Sequence, residues 1–408
     1  MIMKFSNRTA QITPSATIKV SSKAKQMIRN GIDVINLGIG EPDFATPTAI
    51  ADAAIDAIHS GKTSFYTPAS GLLTLKQAIV ERTQRDYGVV YTTDQISVTN
   101  GAKTALYVLM QVLINPGDEV LLPKPSWVSY QQQVYLADGQ PVMVDTDRNF
   151  KITPDLLEQA YTSRSKVLVI NSPQNPTGTL YSKNELRAIG NWAVDHNLVI
   201  VTDDIYGKLI YNNNRFYSPV QFEGRISEAT IMVNGISKAY SMTGWRIGYI
   251  AGPQELIQRV NSLLSHMTGN PAAVSQYAAI AALQSDQQAV SRMRQAFEKR
   301  LNTIYPLLQK VPGFEITQKP QGAFYLFPKV AVAMKMVGVT SSAQLVERLL
   351  NEAHVAVVDG AAFGLPGYIR LSYAASLTDL KTAVTRINGF MNHYLEKELS
   401  GGIGSETN

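Results

Sequence analysis

Residues 165–206 read SKVLVINSPQNPTGTLYSKNELRAIGNWAVDHNLVIVTDDIY, and the fold follows from how this stretch divides. KVLVI (166–170) and LVIVT (198–202) are apolar at nearly every position instead of every second one, the pattern of strands buried on both faces of a sheet. Between them, Ser182 and Glu185 have the spacing of a capping box ahead of LRAIGNWAV, so a helix is expected there. Strand, helix and strand in succession make a parallel pair with the helix crossing over one face.

Working outward, further β-branched runs occur at QISVT (95–99), EVLLP (119–123), PVMVDT (141–146), TIMVN (230–234) and WRIGYIAG (245–252). Together they predict an α/β fold with a mainly parallel seven-stranded sheet between helices. Thr153-Pro154 begins another helix, and residues 47–58 (PTAIADAAIDAI) repeat apolar side chains at helical spacing. So do Leu377, Leu380, Val384, Ile387 and Met391. Residues 275–309 read as one long helix leading out of the sheet unit. The expected division is a large unit at 46–309, a smaller α+β unit from 1–45 plus 310–396, and a disordered tail at 397–408.

Composition narrows the chemistry. The 408 residues contain no cysteine, which removes disulfides, thiolate nucleophiles and cysteine-held metals, and the five histidines are scattered without metal-site spacing. No metal is expected. A formal charge of +5 without a dense Lys/Arg block does not point to nucleic acid, and no apolar run is long enough to span a bilayer. The polar opening MIMKFSNRTAQITPS lacks a signal-peptide apolar region, so a cytoplasmic location is expected. Two phosphate-site look-alikes fail. GKT at 61–63 has Asp56 where a P-loop needs its earlier glycine, and GIG at 38–40 continues as Glu-Pro-Asp.

In open parallel sheets ligands bind beyond the carboxyl ends of the strands. Beyond these strands stand Gly101-Ala102-Lys103, Trp127, Asn175, Asp203 with Tyr206, and Lys238 with Arg246. Gly101-Ala102 opens a helix whose free N–H groups favour an anion such as phosphate, and Arg246 could clamp the same group. Trp127 offers a face for an aromatic ring, Asp203 a partner for a protonated ring nitrogen, and Asn175 and Tyr206 hydrogen bonds to a phenolic oxygen. A desolvated Lys238 would lose its proton readily and add to an aldehyde as a Schiff base. Phosphate, ring nitrogen, phenolic oxygen and aldehyde are the handles of pyridoxal phosphate. Each residue alone has a duller reading, such as a surface lysine, a core tryptophan or a turn aspartate; their placement at successive strand ends makes the case.

The sequence resembles the fold-type-I pyridoxal-phosphate aminotransferases of class I, closest to the bacterial aspartate aminotransferases. The resemblance rests on GISK (235–238) with SMTGWRIG (241–248), and on LGIGEPDFATP, YTPASGLLTLKQAI, NSPQNPTG, GAFYLFP and YIRLSYAAS in order. It implies that Lys238 carries the cofactor and moves the proton at the substrate Cα, while Asp203 keeps the pyridine nitrogen protonated. Arg370, in YIRLSY, would hold the substrate α-carboxylate, and Gly40 and Trp127 would line the substrate pocket with Asn175. Tyr66 would reach the phosphate of a neighbouring subunit, implying a homodimer with shared sites. Asp204 replaces a usual glutamate, and Asp359 stands where proline is common.

For the reaction, the resemblance implies ping-pong transamination, with aspartate and 2-oxoglutarate giving oxaloacetate and glutamate. Lys103, assisted by Thr17, would receive the side-chain carboxylate. Relatives that also take prephenate carry lysine at the position of Thr13. An aromatic or broad-range aminotransferase and a C–S lyase are alternatives on the same fold. A transcription regulator with an aminotransferase-like domain is another, although too few residues precede the first matched motif for a DNA-binding domain.

Overall fold

The computed structural model describes residues 3–402. Seven strands form the main sheet: β1 Ile96–Thr99, β2 Glu119–Pro123, β3 Gln140–Val144, β4 Ser165–Asn171, β5 Val199–Asp203, β6 Thr230–Gly235 and β7 Gly248–Ala251. Their spatial order is β1-β7-β6-β5-β4-β2-β3, and only β7 runs against its neighbours. The continuous apolar character of β4 and β5 has the expected basis, since Val167–Ile170 and Ile200–Val201 are all buried.

Helices cover both faces. One apolar layer joins Leu106, Leu109 and Val260 to Val120, Val169 and Val233, and another joins Leu186, Ile189 and Trp192 to Leu121, Leu168 and Ile200. The helix Lys183–Asp195 begins as its sequence predicts: Ser182 Oγ accepts from the Glu185 amide, and the Glu185 carboxylate accepts from the Ser182 amide at 2.7 Å. Thr153 likewise caps Pro154–Ala160.

Three expectations need correction. The seventh strand begins at Gly248, because Thr243–Trp245 form a 3-10 turn and Arg246 has φ +59°. Residues 275–309 are two helices, Ala273–Gln284 and Gln288–Leu308, since Gln287 adopts φ +63° and its side-chain amide donates to Ala282 O and Ser285 O. The tail expected from residue 397 is helical to Gly402, continuing the helix that starts at Leu377, and residues 403–408 lie outside the described residues.

A second apolar cluster gathers around the three-stranded antiparallel sheet of Val358–Asp359, Ile369–Ser372 and Tyr325–Leu326. It packs Phe297, Leu301 and Ile304 of the helix Gln288–Leu308 against Leu380, Val384 and Ile387 of the last helix, and it includes Leu37 and Tyr206. Tyr206, three residues beyond the end of β5, brings the cluster to the carboxyl ends of the main sheet.

Candidate active site

A cavity of about 570 Å³ opens beyond those strand ends. β4 ends at Asn171 and β5 at Asp203, paired side by side in the sheet, while β6 ends three residues before Lys238. Thr17, Gly40, Ala102, Lys103, Trp127 and Asn175 line the cavity with Asp203, Tyr206, Lys238, Arg246 and Arg370. These are the residues singled out from the sequence, apart from Gly101 and Tyr66. Gly101 lies just behind the wall, against Arg246. Tyr66 is 98% exposed and borders a separate surface depression with Asn270 and Ala272.

Lys238 Nζ donates to the Gly40 carbonyl at 2.6 Å. Burial brings its pKa down to about 8, with Arg370 and Arg246 pushing the same way and Glu41 and Asp203 opposing. Roughly a tenth of this amine is therefore neutral and nucleophilic at pH 7, far more than of an ordinary lysine. Asp203 also lines the cavity, 4% exposed, where burial raises its pKa to about 6 against the hydrogen bond from Tyr130 Oη to Oδ2 at 2.6 Å. It makes no ion pair among the described residues, so a cationic ring nitrogen would find an unneutralised buried carboxylate there.

Arg370 is 2% exposed and also lacks an ion-pair partner among the described residues. Nη1 donates to Asn175 Oδ1 at 3.0 Å and Nη2 to Gly38 O at 2.7 Å, while Nε has no partner. The guanidinium lies over the Tyr325 ring, 4.5 Å from its centroid. Neutral acceptors thus fix its plane and leave N–H groups for a carboxylate, and an anion there would offset the cost of burying an uncompensated charge. Lys103 Nζ stands 5.0 Å from the Trp127 ring centroid; its pKa is lowered by burial and then by Arg246.

At the other end, Gly101 (φ +83°) precedes the helix Ala102–Leu113. A Cβ on Gly101 would come within 2.4 Å of Arg246 Nη2, so only glycine brings this helix N-terminus against the guanidinium. Arg246 itself bonds only to the carbonyls of Thr243 and Asn100 among the described residues, leaving its charge for an anion that the helix N-terminus also favours.

Several residues of the site have no role assigned from the sequence. Asn171 accepts from the Asn175 amide at 2.8 Å and donates to Asp203 O at 2.9 Å, tying two strand ends together. Tyr325 Oη is 2.8 Å from Tyr206 Oη. Tyr130 lies one helical turn after Trp127, a spacing visible in SWVSY, and Tyr325 falls inside GAFYLFP. Asp359 has a local explanation: its carboxylate caps the turn Gly360–Phe363 and accepts from Ser342 Oγ.

An unpaired buried guanidinium, a softened lysine amine, a buried carboxylate and an anion cradle around one cavity are matched by what the chain resembles as a whole. The family model for aminotransferase class I and II matches residues 32–387. This chain belongs to that family. The aminotransferase is 50% identical to the aspartate aminotransferase of Geobacillus stearothermophilus, over 95% of this chain and 99% of that one. It is 49% identical to the asparagine–oxo-acid transaminase of Streptococcus mutans, again over 95% and 99%. The solved aspartate aminotransferase of Rhizobium meliloti superposes with a TM-score of 0.90 at 38% identity, covering 96% of the aminotransferase and 99% of its own chain.

Proposed function

We propose that this aminotransferase uses pyridoxal phosphate and transfers the amino group of aspartate to 2-oxoglutarate, forming oxaloacetate and glutamate by a ping-pong mechanism. The observation that carries the substrate reading is two cations lining one cavity, Arg370 and Lys103, neither ion-paired among the described residues. A dicarboxylate offers one anionic group to each, and each charge-assisted bond contributes about 1.5 to 3 kcal/mol. The names of the relatives from Geobacillus stearothermophilus and Rhizobium meliloti support the same substrate.

The residues present fit the cofactor. Lys238 would hold its aldehyde carbon, Asp203 its ring nitrogen, Asn175 and Tyr206 its phenolic oxygen, and Arg246 with the Gly101-Ala102 helix start its phosphate, while Trp127 would cover the ring. When bound, the group supplies an electron sink conjugated with the bonds at the substrate Cα. Lys238 would be placed to take the substrate Cα proton as a general base, for which a pKa of about 8 suits operation near neutrality. Asp203, held ionised by Tyr130, keeps the ring nitrogen protonated. Arg370 and Asn175 orient the α-carboxylate, and Lys103 with Thr17 receives the side-chain carboxylate beside Gly40 and Trp127.

The reading includes a cytoplasmic homodimer in which Tyr66 reaches the partner's phosphate site. Supporting it, Phe65 and Tyr66 are 79% and 98% exposed, and Ile55 and Ile58, a few residues earlier in the chain, are exposed as well. A large unit at 46–309 and a small one at 1–45 plus 310–396 are part of the same reading, the small unit having an apolar cluster of its own at Ala24, Val34, Leu350 and Ala356. No helix among the described residues is long and apolar enough to cross a membrane.

The test is a panel of amino donors and 2-oxo acceptors on purified holoenzyme. Aspartate with 2-oxoglutarate should give the highest kcat/KM, and Lys238→Ala should lose both turnover and the cofactor's visible absorption band. Higher kcat/KM for asparagine or phenylalanine would refute the substrate, and full turnover by Lys238→Ala would refute the chemistry.

A further inference from the structure

Two of the shortest bonds at the site come from one segment of main chain. Gly38 O accepts from Arg370 Nη2 at 2.7 Å and Gly40 O accepts from Lys238 Nζ at 2.6 Å, so residues 38–46 run as a strap between the substrate-facing cation and the reactive amine. The strap is fastened at several points. Thr243 Oγ1 donates to Glu41 at 3.1 Å, Ser241 Oγ to Phe44 O, Thr46 Oγ1 to Ser241 O at 3.0 Å and Trp245 Nε1 to Thr46 Oγ1 at 2.9 Å.

Its remaining anchor lies in a different part of the chain. Arg300, on the helix Gln288–Leu308, donates through Nη1 and Nη2 to the two Asp43 carboxylate oxygens at 2.6 and 2.8 Å, across 257 residues of sequence. Arg300 is 9% exposed, and its guanidinium packs against Phe44 at 4.9 Å and Phe297 at 5.2 Å. A planar, bidentate, ring-packed pair of this kind defines direction as well as distance, which a single hydrogen bond or a lysine does not.

We propose that Arg300 is a positioning residue for substrate binding: by gripping Asp43 it sets the strap so that Gly38 O holds Arg370 in the plane that receives a carboxylate. The inference rests on the functional reading above for its substrate class. Arg300 does not line the cavity. Its effect therefore passes through the strap and falls first on substrate binding, leaving cofactor retention by Arg246 and Asp203 in place.

The test uses holoenzyme and maleate, a dicarboxylate with no amino group to transfer, followed by the protein's fluorescence, alongside steady-state kinetics. Arg300→Met should weaken maleate and raise KM for the amino donor about tenfold, the scale of losing a well-placed charge-assisted bond, with the visible cofactor spectrum unchanged. The kcat should stay within about twofold, Arg300→Lys should recover part of the loss, and Asp43→Asn with Arg300→Met should be no worse than Arg300→Met alone. Should Arg300→Met not fold, Asp43→Asn carries the same comparison while leaving Arg300 packed against its two rings. Maleate affinity and KM unmoved while Tm falls would reduce Arg300 to a structural ion pair and overturn the proposal, as would strictly additive effects of the two substitutions. Wild-type enzyme that binds no maleate would also overturn it. Wild-type enzyme that binds maleate in an Arg300-dependent way without transferring amino groups would sink the proposed function and leave the strap standing.

Discussion

A Cβ built on Gly40 would stand 2.4 Å from the Tyr325 hydroxyl, which is itself 2.8 Å from the Tyr206 hydroxyl. Main chain and a tyrosine pair thus meet in close contact at the cavity wall, beside the carbonyl that accepts from Lys238. Gly40→Ala should push the strap or Tyr325 aside and lower kcat/KM at least about tenfold, with little loss of Tm, since a displacement of about 1 Å at a reacting centre costs that much or more. Steady-state kinetics with a melting curve checks this, and near-normal kcat/KM would show that Tyr325 yields freely.

Lys103 is the cation assigned to the distal carboxylate. Lys103→Ala should raise KM for aspartate about tenfold to a hundredfold while changing that for phenylalanine far less, because only aspartate presents a second carboxylate. Equal changes for both donors would remove Lys103 from the specificity pocket.

Tyr130 is the side-chain donor to Asp203, and its hydrogen bond opposes the rise in pKa that burial imposes. Tyr130→Phe should raise the Asp203 pKa further above about 6, so that in the enzyme without substrate the acid limb of the kcat/KM profile moves to higher pH by about one unit, the scale of one such bond. A profile that superposes on wild type would show that the cofactor alone governs Asp203.

Asp203 and Asp204 are both buried with raised pKa values, about 6 and about 7, burial being the leading cause in each. A carboxyl whose folded pKa lies above its unfolded value of 3.8 binds protons more tightly in the native state, so stability is greatest at low pH and falls as pH rises through the window between the two values. Cofactor-free protein should therefore lose stability between about pH 4 and pH 7. Asp204→Asn should flatten that fall by more than about 1 kcal/mol in denaturant titrations. An unchanged slope would assign the effect elsewhere.

Gly101→Ala tests the anion cradle. The added methyl group meets Arg246 at a backbone angle of φ +83° that alanine adopts only under strain. Cofactor affinity should drop at least about tenfold, seen as loss of visible absorbance on dilution or dialysis, through displacement of Arg246 and the helix start. Retention equal to wild type would show that Arg246 moves without consequence.

The sheet was legible because its signals are local. Continuous apolar runs become strands buried on both faces, Ser182 and Glu185 close their capping box within one turn, and loops at strand ends collect the ligand-facing groups by topology alone. Lys238, Asp203, Asn175 and Arg246 could be named on that basis, with the family motifs adding Arg370. The break at 285–287 was not legible, since Ser-Asp-Gln carries no proline or glycine and the turn depends on the Gln287 amide folding back on Ala282 and Ser285.

By itself, then, the sequence determined the alternation of strands and helices, the edge of the sheet where the cavity lies, and the lysine on which the proposed function rests. Tertiary structure alone decided which groups tune them: Tyr130 on Asp203, Tyr325 under Gly40, Gly38 O on Arg370 and Arg300 on Asp43. The physical reason is range. Backbone propensity and hydrophobic period act over a few residues, whereas pKa, guanidinium orientation and close packing depend on atoms brought together from 73 to 332 positions apart in the chain.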